Sequence, residues 1–406
     1  MAVEERREVR GPGGSGVSPD AIVLPDPEMV DRMLGHGAEA LRRCYQCGTC
    51  SVVCPRTPLE EAFPRKEMVW AQWGLSDRLL ADADAWLCYQ CNDCVTYCPV
   101  DARPGDVMAA TRDLQIETYS FPRFMGRIPA DRRYLPLAVA IPAALVGLLV
   151  LTAAVFFEDG SAVPEGDILF EHFIGHGWLD IFTLSLVGVV AVLSAVGLRR
   201  FWRALQATVP PGTVRQPLGR ALRGTAGEVL SHEGFDDCTT SHARRAQHIA
   251  LFYGFLGLVA ATTGAALYTE IFPLIGIEWH GNELSLPIWD PVKIIGNVGG
   301  IALVVALAQT LWSRLKRPHV AGKSTYSDWF FSGLLGLTAV TGFFTEILRF
   351  AGIRLAYPAY AVHLVFVFAL FVYFPFSKFS HAMYRTAALA FARQIGRRKP
   401  GPAASG

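Results

Sequence analysis

Eight of the nine cysteines in this 406-residue chain fall into two copies of one spacing. In each copy, three cysteines are separated by two residues, and a fourth follows after three residues and precedes proline. In iron–sulfur runs of this kind, three thiolates bind one cubane and the fourth binds the neighbouring one. The pattern therefore predicts two [4Fe-4S] clusters, one on Cys44, Cys47, Cys50 and Cys98 and the other on Cys88, Cys91, Cys94 and Cys54.

Two other kinds of site use closely spaced cysteines. Zinc ribbons are built from Cys-x2-Cys pairs, and disulfide frameworks are typical of short secreted domains. Each run here has a full set of four with a trailing Cys-Pro, which favours iron–sulfur clusters over zinc. Because free thiolates persist in a reducing compartment, this region is predicted to lie in the cytoplasm. The ninth cysteine, Cys238, is interpreted as a packed interface residue, with a docking surface as the alternative.

Charge and composition exclude several functions and mark one end of the chain. The net charge is only +1, and the sequence has no phosphate loop and no basic, aromatic platform for nucleic acid. Residues 1–36 begin with mixed charges and glycines, which predicts a disordered leader. The leader lacks the apolar stretch of a secretory signal.

The elements that hold the cysteines are predicted to be helices. Apolar residues between the two runs recur at helical rather than alternating spacing, and 106–117 also suits a helix. We expect an all-α protein: a dicluster domain over 37–120, a basic neck over 121–133 and a membrane domain over 134–385. Six stretches are long and apolar enough to span a bilayer, namely 135–157, 178–198, 246–269, 292–313, 329–350 and 355–377.

The flanking charges give the predicted topology. The segment 199–245 carries eight arginines, 314–323 carries four basic residues and 378–399 carries six, whereas 158–177 and 271–290 carry none. Lys and Arg flanking membrane helices stay on the cytoplasmic side. The sequence therefore predicts a multi-pass protein of the cytoplasmic membrane with both termini in the cytoplasm, including a tail over 386–406.

Histidines in or beside the apolar stretches are candidate haem ligands, because ionisable groups in a membrane are usually functional. His363 and His381 are 18 residues apart, which in one helix is five turns and about 27 Å. Both would then face the same side, one near each membrane surface. We predict two b-type haems, with His248 and His381 binding the inner one.

The outer haem needs a partner for His363. His176 is preferred because it lies nearest the second span, and His172 would share its helix face and bind quinone or a haem propionate. Glu270, Glu346 and His172 are candidate proton acceptors for quinone chemistry. Polar residues at the membrane surface are the alternative interpretation for all of these side chains.

Two regions resemble known families. The last span, from His363 through Phe374-Pro-Phe-Ser to His381, resembles the final helix of the respiratory nitrate reductase gamma subunit family and of the related E subunit of heterodisulfide reductase. The third span, which begins near His248, is similar to the other ligand-bearing helix of that family. The family has a second histidine ten residues later, where this chain has Leu258.

The amino-terminal region resembles the C subunit of heterodisulfide reductase. Its fusion to a cytochrome b resembles the membrane-bound C subunit of the quinone-interacting membrane-bound oxidoreductase, as in Trp86-Leu-Cys-Tyr-Gln-Cys-Asn-Asp-Cys. That resemblance implies electron exchange between menaquinone and cytoplasmic flavin and iron–sulfur proteins related to the A subunit of heterodisulfide reductase, which serve adenylylsulfate reductase.

The leading hypothesis is a membrane electron-transfer subunit of a quinone-dependent oxidoreductase, with no catalytic residue of its own for the soluble substrate. One alternative keeps the cofactors and changes the partner, so that the chain anchors a heterodisulfide reductase, a nitrate reductase or another dehydrogenase. A second alternative is a redox-sensing anchor, although sensors favour exposed, labile thiols.

Overall fold

The computed structural model describes residues 24–58, 61–156, 168–213, 215–238, 242–277, 286–316 and 322–397, and the described chain is helical, without strands. The predicted all-α class is confirmed. A dicluster domain precedes a membrane bundle, and the last helix returns to pack against the dicluster domain.

Seven helices form the dicluster domain around a core that includes Leu41, Met68, Val107 and Leu114. The last helix of the dicluster domain begins at Pro104, whose fixed φ and missing N–H suit a first helical position. The helices are α1 (Pro27–Gly35), α2 (Thr49–Val53), α3 (Arg65–Gln72), α4 (Ser76–Leu80), α5 (Asp84–Leu87), α6 (Asp93–Thr96) and α7 (Pro104–Tyr119).

Helix α1 corrects the predicted disordered leader. Asp26 caps it by accepting a hydrogen bond from the Met29 amide at 3.3 Å, and Pro27 opens the first turn. Met29 and Met33 lie one turn apart and are buried in the dicluster core. The start signals and the apolar i, i+4 pair explain why this segment folds. Residues 1–23 of the predicted leader lie outside the described residues.

Six helices are long and apolar enough to cross a membrane, and each overlaps one predicted span. The second of them continues to Ala207, beyond the predicted end at residue 198, and buries Phe201 and Leu205 against the dicluster domain and the carboxy-terminal helix. The six are α8 (Leu135–Phe156), α9 (His176–Ala207), α11 (His242–Ala266), α12 (Pro291–Lys316), α13 (Tyr326–Phe350) and α14 (Ala356–Tyr373), and α10 (Leu218–Ser231) joins α9 to α11.

The single helix assumed to carry both His363 and His381 is interrupted in the structure. Helix α14 ends at Tyr373, and α15 (His381–Gln394) begins with the second histidine. Pro375 lies in the break, where it has no N–H to continue the helix. The argument that His363 and His381 share one helix face is therefore wrong. The predicted tail also begins too early, because α15 packs to Phe391, and residues 398–406 lie outside the described ones.

Glycines let α11 and α12 approach closely. A Cβ added at Gly254 would lie 2.7 Å from the Gly299 carbonyl oxygen, and one at Gly257 would lie 3.3 Å from the Gly299 Cα. Membrane helices use such small residues to bring their backbones together.

Aromatic side chains join the dicluster domain to the bundle. Trp86 of α5 stacks on Tyr384 of α15 with ring centroids 5.5 Å apart, and Phe201 of α9 meets Tyr384 edge-on at 5.2 Å. Trp86, Phe201 and Tyr384 are all buried. This interface fixes the position of the second cysteine run, which begins two residues after Trp86.

Candidate functional site

The two cysteine runs fold into loops with the same backbone pattern. Gln46 and Gln90, two residues after the first cysteine, both have positive φ, and so do Gly48 and Asn92, two residues later. Glycine adopts this conformation freely and asparagine tolerates it. In the second loop the Gln90 amide donates a hydrogen bond to the Cys88 sulfur at 3.2 Å.

One cavity, called the distal cavity, is lined by the first three cysteines of run one and by the last cysteine of run two. Gln72 of α3 donates a hydrogen bond to the Cys44 carbonyl at 2.7 Å and so ties the loop to the core. Cys47 is exposed, and the neighbouring Tyr45 is 60% exposed. The cysteines of this cavity are Cys44, Cys47, Cys50 and Cys98.

The other cavity, called the proximal cavity, is covered by residues that follow the second membrane helix. Arg244 of α11 donates to the Gln90 carbonyl at 2.6 Å, and Arg385 of α15 donates to the Cys88 carbonyl at 3.1 Å. A fifth cysteine joins the four predicted ones here. The cysteines of this cavity are Cys54, Cys88, Cys91, Cys94 and Cys238.

The donor sets fit two iron–sulfur clusters. Each cavity receives three thiols from one run and one from the other, as the cross-ligation pattern requires. Burial raises the pKa of Cys50 to about 11 and that of Cys54 to about 12, and a coordinating metal removes such protons outright. The assignment of individual ligands to each cluster stays a prediction. The structure places four of the eight predicted ligands in each cavity.

His248 and His381 lie close together at the dicluster end of the bundle. Their ring centroids are 6.3 Å apart and their planes are nearly perpendicular, at 78°. Two metal–nitrogen bonds of about 2 Å each, plus about 1 Å from each nitrogen to its ring centre, give about 6 Å. A separation of this size would let His248 and His381 hold one iron between them.

Neighbouring groups orient His381. Its Nδ1 lies 2.8 Å from the Lys378 carbonyl oxygen, an arrangement in which Nδ1 donates and Nε2 is left for a metal. Burial lowers the pKa of His381 to about 4, so the ring is neutral. Lys378 is itself held between Asp113 of α7, at 3.3 Å, and Asp328 of α13, at 3.0 Å.

Two residues near this pair were missed by the sequence analysis. The His232 ring lies 4.9 Å from that of His248, and Phe235 lies 5.4 Å from it. His232 ends α10 with a φ of 56°. It stands in the polar segment between α10 and α11 that also holds Cys238, and neither apolar periodicity nor ligand spacing marks it.

The histidines of the far end have separate neighbours. His363 Nδ1 lies 3.1 Å from the Thr341 hydroxyl of α13, and His176 Nε2 lies 3.7 Å from Glu270. Helix α9 begins at His176, whereas His172 lies in a short 3₁₀ turn, Phe170–His172, and is exposed. The expectation that His172 and His176 share a helix face is wrong, and the pairing of His363 with His176 stays a prediction.

Polar groups are gathered around the proton-acceptor candidates. Glu270 belongs to a π-helical turn, Leu267–Ile271, that ends α11, and such turns are frequent at functional sites. Glu346 pairs with Lys293 at 3.2 Å and accepts from Asn297 at 3.3 Å. Both candidates therefore have charged neighbours within the bundle.

Comparisons with known proteins divide the chain in the same way as the fold. The family model described as citrate utilization protein B matches residues 126–403, and the 4Fe-4S dicluster domain model matches residues 39–102. No solved structure matches.

Relatives match over different lengths. Citrate utilization protein B of Escherichia coli is 28% identical over 384 residues, which cover 91% of this chain and 93% of the relative. A protein of Archaeoglobus profundus that is like the C subunit of heterodisulfide reductase is 40% identical over 85 residues, 21% of this chain and 45% of the relative. The C subunit of the H(2):CoB-CoM heterodisulfide,ferredoxin reductase of Methanothermobacter marburgensis is 33% identical over 91 residues, 22% of this chain and 48% of the relative. This chain therefore spans about half the length of these two heterodisulfide reductase relatives.

Proposed function

This chain belongs to the citrate utilization protein B family, and from that premise we propose that it is a membrane subunit that carries electrons between a soluble redox partner and the quinone pool. The electrons pass through two [4Fe-4S] clusters and b-type haem. The dicluster domain supports iron–sulfur electron transfer within an oxidoreductase complex. The haem and quinone parts of the proposal rest on the histidines and their neighbours.

One contact carries the proposal. Arg385 lies one turn after His381 in α15, and its guanidinium donates to the Trp86 carbonyl at 2.6 Å and to the Cys88 carbonyl at 3.1 Å. His381, the candidate haem ligand, and Cys88 of the proximal cavity are thus joined through one turn of α15 and the side chain of Arg385. Such a short connection suits two redox centres that exchange electrons.

The residues set an order of centres. The exposed Cys47 edge of the distal cavity faces a soluble partner, the proximal cavity lies next, and the pair of His248 and His381 follows. His363 lies farther into the bundle on α14, where it and His176 would hold a second haem. When bound, the clusters and haem supply one-electron redox chemistry, and the chain supplies their positions and electrostatic surroundings.

The far end of the bundle is the proposed quinone site. Oxidation of a menaquinol-type substrate releases protons, so a base must stand near the ring. Glu270, 3.7 Å from His176 Nε2, is the first candidate base. His172 lies outside this pair in its 3₁₀ turn and is the second candidate base. Glu346 is held by Lys293 and is less free to accept a proton.

The similarities favour two kinds of partner. The whole-chain relative is named for citrate utilization, which favours a partner enzyme of citrate metabolism. The dicluster relatives are heterodisulfide reductase subunits, which favours other subunits of such an enzyme as partners. The resemblance to the quinone-interacting membrane-bound oxidoreductase adds flavin and iron–sulfur proteins like the A subunit and, through them, adenylylsulfate reductase. Affinity purification of the native complex with identification of the bound proteins separates the two.

The proposed location is the cytoplasmic membrane, with the dicluster domain and both termini in the cytoplasm. The basic residues flanking the dicluster end of the bundle support this orientation. A reporter fused after residue 397 would be active in the cytoplasm, and the opposite result would reverse the proposed electron path.

Haem spectroscopy tests the function. The reduced-minus-oxidised spectrum of the purified protein is expected to show b-type haem, and His381→Ala should remove the haem held with His248. His172→Ala, an exposed position, is the matched control and should keep both haems. Quinol-driven reduction of the clusters should fail in His381→Ala. A wild-type protein without b-type haem would overturn the proposal.

A further inference from the structure

Cys238 lies at the proximal cavity although it belongs to neither cysteine run. It lines the cavity with the four predicted ligands and is only 2% exposed. The residue follows the short 3₁₀ turn Glu233–Phe235, in the connection between α10 and α11. The membrane domain therefore contributes a thiol to a site that is otherwise built by the dicluster domain.

Contacts on the preceding turn hold this thiol in place. Phe235 meets the Tyr89 ring edge-on at 4.9 Å. A Cβ added at Gly234 would overlap the Tyr89 hydroxyl, so the ring approaches the Gly234 backbone as closely as glycine allows. Arg56 pairs with Asp237 and, at 3.6 Å, with Glu228. Arg56 lies two residues after Cys54 of the first run, and Tyr89 follows Cys88 of the second run. Contacts from both runs therefore hold the segment that carries Cys238 against the cavity.

Cys238 and Cys91 line the same cavity, and a side-chain hydrogen bond between them favours the thiolate of Cys91. A sulfur bound to iron is a thiolate and has no proton to give. With Cys91 as a ligand, the thiol of Cys238 must be the donor.

The internal repeat contains a matching side-chain contact in the distal loop. Cys47 and Cys91 occupy the same repeat position, and each is followed two residues later by Thr49 or Asp93. In the distal loop the Thr49 hydroxyl lies 3.3 Å from the Cys47 sulfur. The second run has Asp93 at that position, and the side-chain hydrogen bond that favours the thiolate of Cys91 comes from Cys238. In the proximal cavity Cys238 thus occupies the role that Thr49 has in the distal one.

We propose that Cys238 is a positioning residue of the proximal cluster, which donates an S–H hydrogen bond to Cys91 and so raises the reduction potential of that cluster. Hydrogen bonds to the sulfurs are among the factors that set cluster potentials. A donor stabilises the more negative, reduced state more than the oxidised state. The inference rests on the iron–sulfur part of the proposed function and is independent of haem and quinone.

Redox titration of the purified full-length protein, followed by electron paramagnetic resonance, tests the assignment. Cys238→Ala should lower the potential of the proximal cluster and leave that of the distal cluster and the iron content unchanged. Cys238→Ser keeps a donor and should stay closer to wild type. Thr49→Val is the matched control and should lower only the distal potential.

Two results would overturn the assignment. An unchanged proximal potential in Cys238→Ala would show that the thiol does not act on the cluster, and a loss of about four irons would make Cys238 a ligand. If the alanine variant does not accumulate, Cys238→Val, which lacks a donor but fills the space, is compared with Cys238→Ser, and equal potentials contradict the proposal. Lack of haem or of quinone activity would contradict the proposed function without altering these potentials.

Discussion

The distal and proximal cavities are built from nearly identical loops yet have different surroundings. Both loops have the sequence Cys-Tyr-Gln-Cys and share two positive φ positions. Around the distal loop Tyr45 and Cys47 are exposed, whereas Tyr89 is covered by Phe235 and by the Arg385 guanidinium, 4.1 Å from its ring centroid. The repeat gives both loops the same cysteine spacing, and the packing against the membrane domain decides which cavity faces inward.

The comparison predicts opposite outcomes for two neighbouring cysteines, and this is the largest expected effect. Cys54→Ala should destroy the proximal cluster and Cys50→Ala the distal one, although both residues belong to the first run. Each variant should lose about four of about eight irons. Iron and sulfide analysis with electron paramagnetic resonance identifies the surviving cluster, and loss of the same cluster in both variants would refute the crossed ligand sets.

Removing an arginine should lower the free energy of unfolding more at the proximal loop than at the distal one. Arg385→Ala removes bonds to the Trp86 and Cys88 carbonyls and should destabilise the protein by about 2 kcal/mol, the scale of a charge-assisted hydrogen bond. Arg65, which donates to the Gln46 carbonyl at 3.2 Å, is exposed, and Arg65→Ala should cost less than about 0.5 kcal/mol. Thermal unfolding in detergent measures the loss of stability in both variants. Equal losses would contradict the expected difference between the proximal and distal loops.

Exposure should make the distal cluster the more labile one. Oxidation of cluster cysteines follows their access to solvent, and Cys47 is exposed whereas Cys94 is buried. During treatment with ferricyanide, the distal signal should decay several times faster than the proximal one. Faster decay of the proximal signal would mean that the membrane domain does not shield it.

The smallest effect concerns the shared backbone. Gly48 and Asn92 have φ of 82° and 67° at equivalent positions. Gly48→Asn should therefore be nearly neutral, whereas Gly48→Val should cost about 1–2 kcal/mol because a branched residue is strained there. Unfolding curves and distal iron content give the comparison, and a tolerated valine would contradict the requirement for positive φ.

Most of the local structure could be predicted. The cysteine spacing anticipated the two groups of sulfurs, because the run determines how the loop turns around a cluster. Hydrophobic length anticipated six membrane helices, because a bilayer requires a minimum apolar span. The pair of His248 and His381 followed from depth in the membrane, and the structure brings these rings together.

Other features depended on contacts between distant residues. The break at Pro375 places His381 on α15 rather than on α14, so the helix face shared with His363 was wrong, although His381 still reaches His248. Helix α1 was missed because its short apolar pair gains stability only when Met29 and Met33 enter the dicluster core. His232 and Cys238 carry no spacing signal at all.

The sequence by itself determined the grouping of the cysteines, the helical class and the six apolar helices of the described residues, since these depend on spacing along one segment. Only the tertiary structure decided which cavity adjoins the membrane domain, which side chains join Cys88 to His381, and that Cys238 reaches Cys91. Those relations join residues more than a hundred positions apart. Burial of Trp86 against Phe201 and Tyr384 creates them, and no periodicity within a single helix encodes that packing.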